Sequence, residues 1–165
     1  MPRRPAHCYS KIARPPYTRR KYMRGVPDPK IRLFDLGDSS GDFSAQIDLI
    51  AEEEAQIRSE ALEAARIIVN RYLTQKIGRA KYHMRMRVYP HHVLRENKMM
   101  AVAGADRLQD GMRRAFGKPI GTAARVRSGQ VLISVHANEE DLEIIKEALR
   151  RANHKFSPPC RIVIR

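Results

Sequence analysis

Three groups of residues have types and spacings that could carry chemistry. His91 and His92 lie just before Arg95 and Glu96, and an RNA-cutting or RNA-modifying enzyme could draw a general base and acid from such a group, because imidazole moves a proton near neutral pH. Adjacent residues on a strand face opposite ways, however, so the two rings are not expected to reach one substrate atom. The plainer expectation has one ring packed or bonded to backbone and the other, His91, touching a phosphate. Glu52, Glu53 and Glu54 form a carboxylate run of the kind that holds metal ions for phosphoryl transfer. They sit in the part of the chain least suited to meet a polyanion, and read as a solvated turn or a patch for a basic neighbouring protein. Gly117-Lys118 does not complete a phosphate-binding loop, which needs a glycine five residues earlier and a Ser or Thr after the lysine to hold magnesium. Met112 and Pro119 occupy those two positions. No catalytic residue and no cofactor is expected.

Metal binding fares no better. His7 adjoins Cys8, but tetrahedral zinc needs ligands in clustered pairs, and no second pair follows at ligand spacing. Cys8 and Cys160 stand at opposite ends of the chain and read as reduced thiols rather than a disulfide framework.

The charge pattern is more informative. The 165 residues carry 32 Lys and Arg against 18 Asp and Glu, a formal net charge of +14. Such a field recruits polyanions without base-specific contacts. Residues 1–30 hold nine basic side chains and one acidic, residues 31–66 three against nine, and residues 67–137 fourteen against three. Two basic regions therefore bracket an acidic one. No run of about 20 apolar residues spans a bilayer and no secretory apolar stretch opens the chain, so an intracellular, cytoplasmic protein without a membrane partner is expected, and no homo-oligomer.

The first basic block, residues 1–30, contains six of the ten prolines, which interrupt helix and sheet ladders alike. Arg3, Arg4, Lys11, Arg14, Arg19, Arg20, Lys21 and Arg24 are interleaved with Tyr9, Tyr17 and Tyr22. Cations that neutralise phosphate and rings that stack on unpaired bases together describe an RNA-binding arm that orders on its partner.

Residues 31–165 must form the body that positions these groups. Strands are expected at Ile31–Leu36 and Phe43–Ile50, and a helix capped by Ser59 and ended by Gly78, with Leu62, Ala65, Val69, Tyr72 and Leu73 on its apolar face. Tyr82–Tyr89 alternates apolar residues with His83, Arg85 and Arg87, a strand with one basic face. A further strand is expected at His92–Arg95. Residues 99–117 break all periodicity and carry Lys98, Arg107, Arg113, Arg114 and Lys118 within or beside them. This is a functional loop of about twenty residues, with a turn of helix near Met112–Phe116. Gly121–Arg127, carrying Arg125 and Arg127, and Gln130–His136 read as a hairpin turned by Ser128-Gly129. Asn138 is expected to cap a second helix bearing Leu142, Ile145, Leu149 and Ala152, and Cys160–Arg165 to close a sheet edge. The order implies an α+β fold, a two-layer sandwich of mixed or antiparallel sheet with two main helices and an extended basic arm.

The stretch YPHHVLRENKMMAVAGADRLQDGMRRAFGKPIGTAARV from Tyr89 to Val126 resembles the L-ten-e family of large-subunit ribosomal proteins, the counterpart of bacterial L-sixteen. MPRRPAHCYSKI at the start, EALEAARI at Glu60–Ile67, SGQVLISV at Ser128–Val135 and EALRRA at Glu147–Ala152 resemble it too. Bacterial members lack the pattern ENKMMAVAGADRLQDGM, and the short C-terminus favours the archaeal type. The resemblance implies an alpha/beta-hammerhead fold seated on large-subunit ribosomal RNA, beside other ribosomal proteins and near the corridor of the incoming transfer RNA and the peptidyl-transferase centre. It implies no catalytic residues, a Met99–Phe116 loop projecting toward that centre, and RNA contact by Arg113, Arg114, Lys118 and Arg125.

Overall fold

The computed structural model describes residues 4–100, 103–113 and 115–165. It is an α+β fold of two antiparallel sheets and two main helices. The five-stranded sheet is built from β1 (Asp35–Gly37), β2 (Ala45–Ala51), β4 (Tyr82–Met86), β7 (Val131–Ala137) and β8 (Cys160–Ile164), in the order β1-β4-β7-β2-β8. The three-stranded sheet is built from β3 (Ala55–Arg58), β5 (His92–Glu96) and β6 (Lys118–Val126), in the order β3-β6-β5. The helices are α1 (Ser59–Lys76), a single turn α2 (Ala105–Leu108) and α3 (Leu142–Asn153).

The helices pair along their apolar stripes and cover one face of the larger sheet. Leu62, Ala65, Val69 and Leu73 of α1 and Ile145, Ala148, Leu149 and Ala152 of α3 are buried with Ile47, Leu49, Met84, Ile133 and Val135 of the strands. Residues three and four apart share a helix face and alternate residues share a strand face, so these two periodicities make one core. Ile57, Ala124 and Val126 extend it into the smaller sheet. Burial of each large apolar side chain stabilises the fold by about 1.5–3 kcal/mol.

Several expectations need correcting. The hairpin expected at Ser128-Gly129 is absent: β6 pairs with β3 and β5, whereas β7 pairs with β2 and β4. A tight turn is present, with the Gln130 N–H donating to the Arg127 carbonyl at 3.2 Å and Gly129 at φ +80°. It hands the chain from one sheet to the other instead of folding it back on itself. Residues 31–36 contribute little strand; β1 begins only at Asp35. Ser59 is the buried first residue of α1 rather than its cap, and Asn138 precedes a short 3-10 turn, Glu139–Asp141, so that Asp141 stands before α3. Neither helix has a side-chain cap bond at its start. Gly78 does terminate α1, at φ +86°. In the loop, the helical turn lies at Ala105–Leu108, N-terminal to the stretch expected to coil.

Candidate nucleic-acid interface

The three-stranded sheet forms the floor of the site. Gln56 of β3 and Arg125 of β6 are cross-strand partners, and both reach up to the arm. The Gln56 side-chain amide donates to the Lys11 carbonyl at 2.7 Å, and the Arg125 guanidinium donates to the Arg14 carbonyl. Arg58, at the end of β3, donates to the Arg4 carbonyl at 3.4 Å and sits over the Tyr9 ring at 5.7 Å. At the edge strand β5, the Tyr17 N–H donates to His92 Nδ1 at 2.9 Å and the Val93 N–H donates to the Tyr17 carbonyl at 3.0 Å. Residues 4–30 have two short 3-10 turns, Ala6–Tyr9 and Arg20–Tyr22, and are largely exposed. The body thus grips the arm by its carbonyls, and leaves the side chains of Lys11, Arg14, Arg19, Arg20, Lys21 and Arg24 facing outward.

The loop leaves the same sheet. Glu96 pairs with Lys118 and Arg95 with Pro119 at its base. A Cβ on Gly117 would come within 2.5 Å of the Glu96 carbonyl carbon, so only glycine lets the returning chain lie this close to β5. Further out, Asn97 donates to the Gly111 carbonyl at 3.2 Å, and Gln109 accepts from the Met100 N–H at 2.8 Å while donating to the Lys98 carbonyl. The loop is therefore a cross-braced hairpin extension.

Arm and loop meet over β5. The Arg95 guanidinium lies between two rings, 3.9 Å from the Tyr17 centroid and 3.4 Å from that of Phe116, the stacked geometry in which a planar cation is attracted to aromatic faces. Around it runs an open groove of about 1200 Å³. Arg4, Tyr9, Tyr17, Arg95, Lys98, Met99, Met112 and Phe116 are among its walls. Arg4 pairs with Glu96 at 2.8 Å.

The histidines do not form an acid-base pair. His92 is 5% exposed and accepts the Tyr17 N–H at Nδ1. Burial, and then the positive charges of Arg125, His91 and Arg95, push its pKa down to about 4, so it is neutral at pH 7 and serves to hold the arm. His91 bonds the Tyr89 carbonyl through Nδ1 at 3.0 Å. Among the described residues no three His, Cys, Asp or Glu side chains gather to hold a metal ion. Cys8 and Cys160 are free thiols, and burial pushes that of Cys160 up to about 11.

The structure gathers Arg4, Lys11, Arg14, Arg95, Lys98, Lys118 and Arg125 around this small sheet. Arg107 and Arg113 are exposed farther along the loop, and Arg127 is exposed on the turn after β6. Arg85 stands in β4 of the other sheet and Arg87 directly after it: Arg85 faces Asp35 at 3.4 Å and Arg87 donates to Ser134 at 3.0 Å, beside the stacked His83 and His136 rings. That basic strand face is a separate surface. Arg3 and Arg114 lie outside the described residues. Sequence reasoning missed Gln56, Arg58 and Phe116. Phe116 had a usable signal, an aromatic residue immediately before a glycine in a charged loop.

Comparison with known proteins shows the family. The family model described as ribosomal protein L16p/L10e matches residues 12–163. The chain is 57% identical over 165 residues to the large ribosomal subunit protein uL16 of Staphylothermus marinus, covering 100% of this chain and 95% of that one. The protein of the same name from Hyperthermus butylicus is 54% identical, over 98% of this chain and 93% of the other; that from Methanococcus aeolicus is 51% identical, over 99% and 95%. Alignment at this identity across nearly the whole of each chain means that the protein belongs to the ribosomal protein L16p/L10e family, in its archaeal form.

Proposed function

We propose that this protein is a structural, non-enzymatic constituent of the large ribosomal subunit, and that its arm, small sheet and loop hold it on large-subunit ribosomal RNA. The observation that carries the reading is the convergence of arm, β5 and loop base on one groove walled by cations and flat rings. Cations there neutralise phosphate, and rings and methionines offer surfaces to unpaired bases. The RNA contacts comprise Arg4, Lys11, Arg14, Arg19, Arg20, Lys21 and Arg24 of the arm, with His91, Arg95, Lys98, Arg107, Arg113, Lys118, Arg125 and Arg127. Arg85 and Arg87 make a second contact through the larger sheet, and Arg3 and Arg114 belong with the arm and the loop. The loop reaches toward the path of aminoacyl-transfer RNA and the peptidyl-transferase centre and supports transfer-RNA positioning. The exposed Glu52–Glu54 turn, between β2 and β3, is suited to a basic neighbouring ribosomal protein.

The test is sedimentation of the tagged protein in a lysate of its own cells, with equilibrium binding to large-subunit ribosomal RNA alongside. The protein should travel with large subunits and with no free RNA-cleaving activity. If about eight phosphates are neutralised, log affinity should fall against log salt with a slope of about −5 to −6. A protein sedimenting away from subunits, or a flat salt profile, would overturn the reading.

A further inference from the structure

The Arg95 stack contains more than packing requires. Arg95 Nε and Nη1 are buried and have no hydrogen-bond partner among the described residues, although its neighbour in sequence is a carboxylate. Glu96 is instead committed to Arg4 at 2.8 Å. Phe116, whose ring centre lies 3.4 Å from the Arg95 guanidinium, is 75% exposed. One face of the ring is thus covered by a cation and the other is open. An exposed phenylalanine gains little from the hydrophobic core, so its position over Arg95 calls for something to cover the open face.

What covers it must suit its surroundings. The chain carries a net charge of +14, and the groove beside Phe116 is lined by the Arg4–Glu96 pair, Lys98 and the thioethers of Met99 and Met112. Met99 and Met112 are 61% and 63% exposed. Sulfur of this kind packs against aromatic edges. A flat, polarisable group bearing negative charge suits the open ring face, the thioethers and the positive field of the chain, whereas an apolar peptide would bring no charge to that field. We propose that the open face of Phe116 is the seat of one unpaired RNA nucleotide, its base continuing the column Tyr17–Arg95–Phe116 within the positive field of the chain. The cation behind the ring draws electron density from it, which favours an electron-rich base on the far face, and a purine offers the larger overlap. The column also joins arm to loop, so the nucleotide clamps both at once. This inference rests on the RNA-binding reading above and specifies a site within it.

The experiment uses the full-length protein and a 12-nucleotide single-stranded RNA carrying one 2-aminopurine, whose fluorescence is quenched when the base stacks on an aromatic ring. Its fully paired duplex serves as control. Base stacking on an aromatic side chain contributes about 1–3 kcal/mol, so Phe116→Ala should weaken single-strand binding by about 5- to 150-fold and relieve the quenching. Phe116→Tyr should restore both. Because no phosphate contact is removed, the salt slope should stay the same, and duplex binding should not change. The exposure of Phe116 means that neither variant should disturb the fold. Unchanged single-strand affinity and quenching in Phe116→Ala, as expected if the groove seats a peptide, would overturn the site while leaving RNA binding intact. An equal loss on duplex would also overturn it. Failure of the unsubstituted protein to bind either RNA would overturn the RNA-binding reading itself.

Discussion

Replacing residues 99–113 by Gly-Ser-Gly removes the outer loop while keeping its base, including Asn97, Lys98, Phe116 and Gly117. The structure argues that stability should hardly change. Met99, Met100, Leu108 and Met112 are 61%, 48%, 72% and 63% exposed, and none belongs to the core cluster. Among the described residues, the cross-loop hydrogen bonds to backbone groups that are lost are those of Asn97 to Gly111, of Met100 to Gln109 and of Gln109 to Lys98, each contributing about 0.5 kcal/mol or less at an exposed site. Closing a loop of about 9 residues in place of about 21 returns roughly 0.7 kcal/mol of chain entropy. The two effects nearly cancel, leaving a net change within about 1 kcal/mol, or a Tm shift of no more than about 2–4 °C. Urea unfolding checks the stability, and purified large subunits check occupancy and translation rate. Full occupancy with impaired transfer-RNA handling or slowed peptide-bond formation is expected. Full occupancy with normal translation would refute a functional loop. Absence from subunits, with the fold intact, would show that the loop is an assembly anchor instead.

Leu49→Ala, at a fully buried position of β2, should cost about 2–5 kcal/mol through lost transfer energy and a cavity, read as a lower urea midpoint at unchanged slope. His92 titrates near 4 when folded and near 6.5 when unfolded. Between those values the unfolded chain binds more protons, so stability should fall by about 1–3 kcal/mol as pH drops from 7 to 4, and His92→Gln should flatten that profile. Removing the two side chains that hold the arm carbonyls, in a Gln56→Ala, Arg125→Ala double variant, should speed amide exchange at Tyr17 and weaken RNA binding several-fold, with protection in α1 and α3 unchanged. Exchange at Tyr17 as slow as in the parent would mean that these bonds do not hold the arm.

The features legible in the sequence are those with long periodicity. The stripe Leu62, Ala65, Val69, Tyr72, Leu73 and the alternation Tyr82, Met84, Met86 need only local geometry to be read, and the structure buries all of them except Tyr72, which it half-buries. Pairing was less legible. The turn at Arg127–Gln130 looks like a hairpin because a tight turn is the same chemistry whether the next strand pairs with the last or enters another sheet. β3 was missed because its four residues run directly into α1 and never show an independent pattern. Asp48 interrupts an alternating run as an outward polar residue would, yet it is 1% exposed, its carboxylate accepting from Gln46 at 2.9 and 3.1 Å and facing Arg165 at 3.4 Å. The basic residues of the site were visible by type, but their grouping was not. Gln56 and Arg125 hold main-chain carbonyls of the arm, and a carbonyl leaves no trace in residue type. The sandwich of Arg95 likewise joins residue 17 to residue 116 across β5, a juxtaposition set by topology alone.

The central claim is that arm, small sheet and loop form the RNA-facing side of a large-subunit protein. Ultraviolet cross-linking in intact, purified large subunits, followed by mapping of the cross-linked peptides, tests it most directly. The account predicts RNA adducts on peptides containing Tyr9, Tyr17 and Phe116, with few on the outer faces of α1 and α3. Adducts concentrated on α1 and α3, with the arm and the Phe116 peptide unmodified, would contradict it.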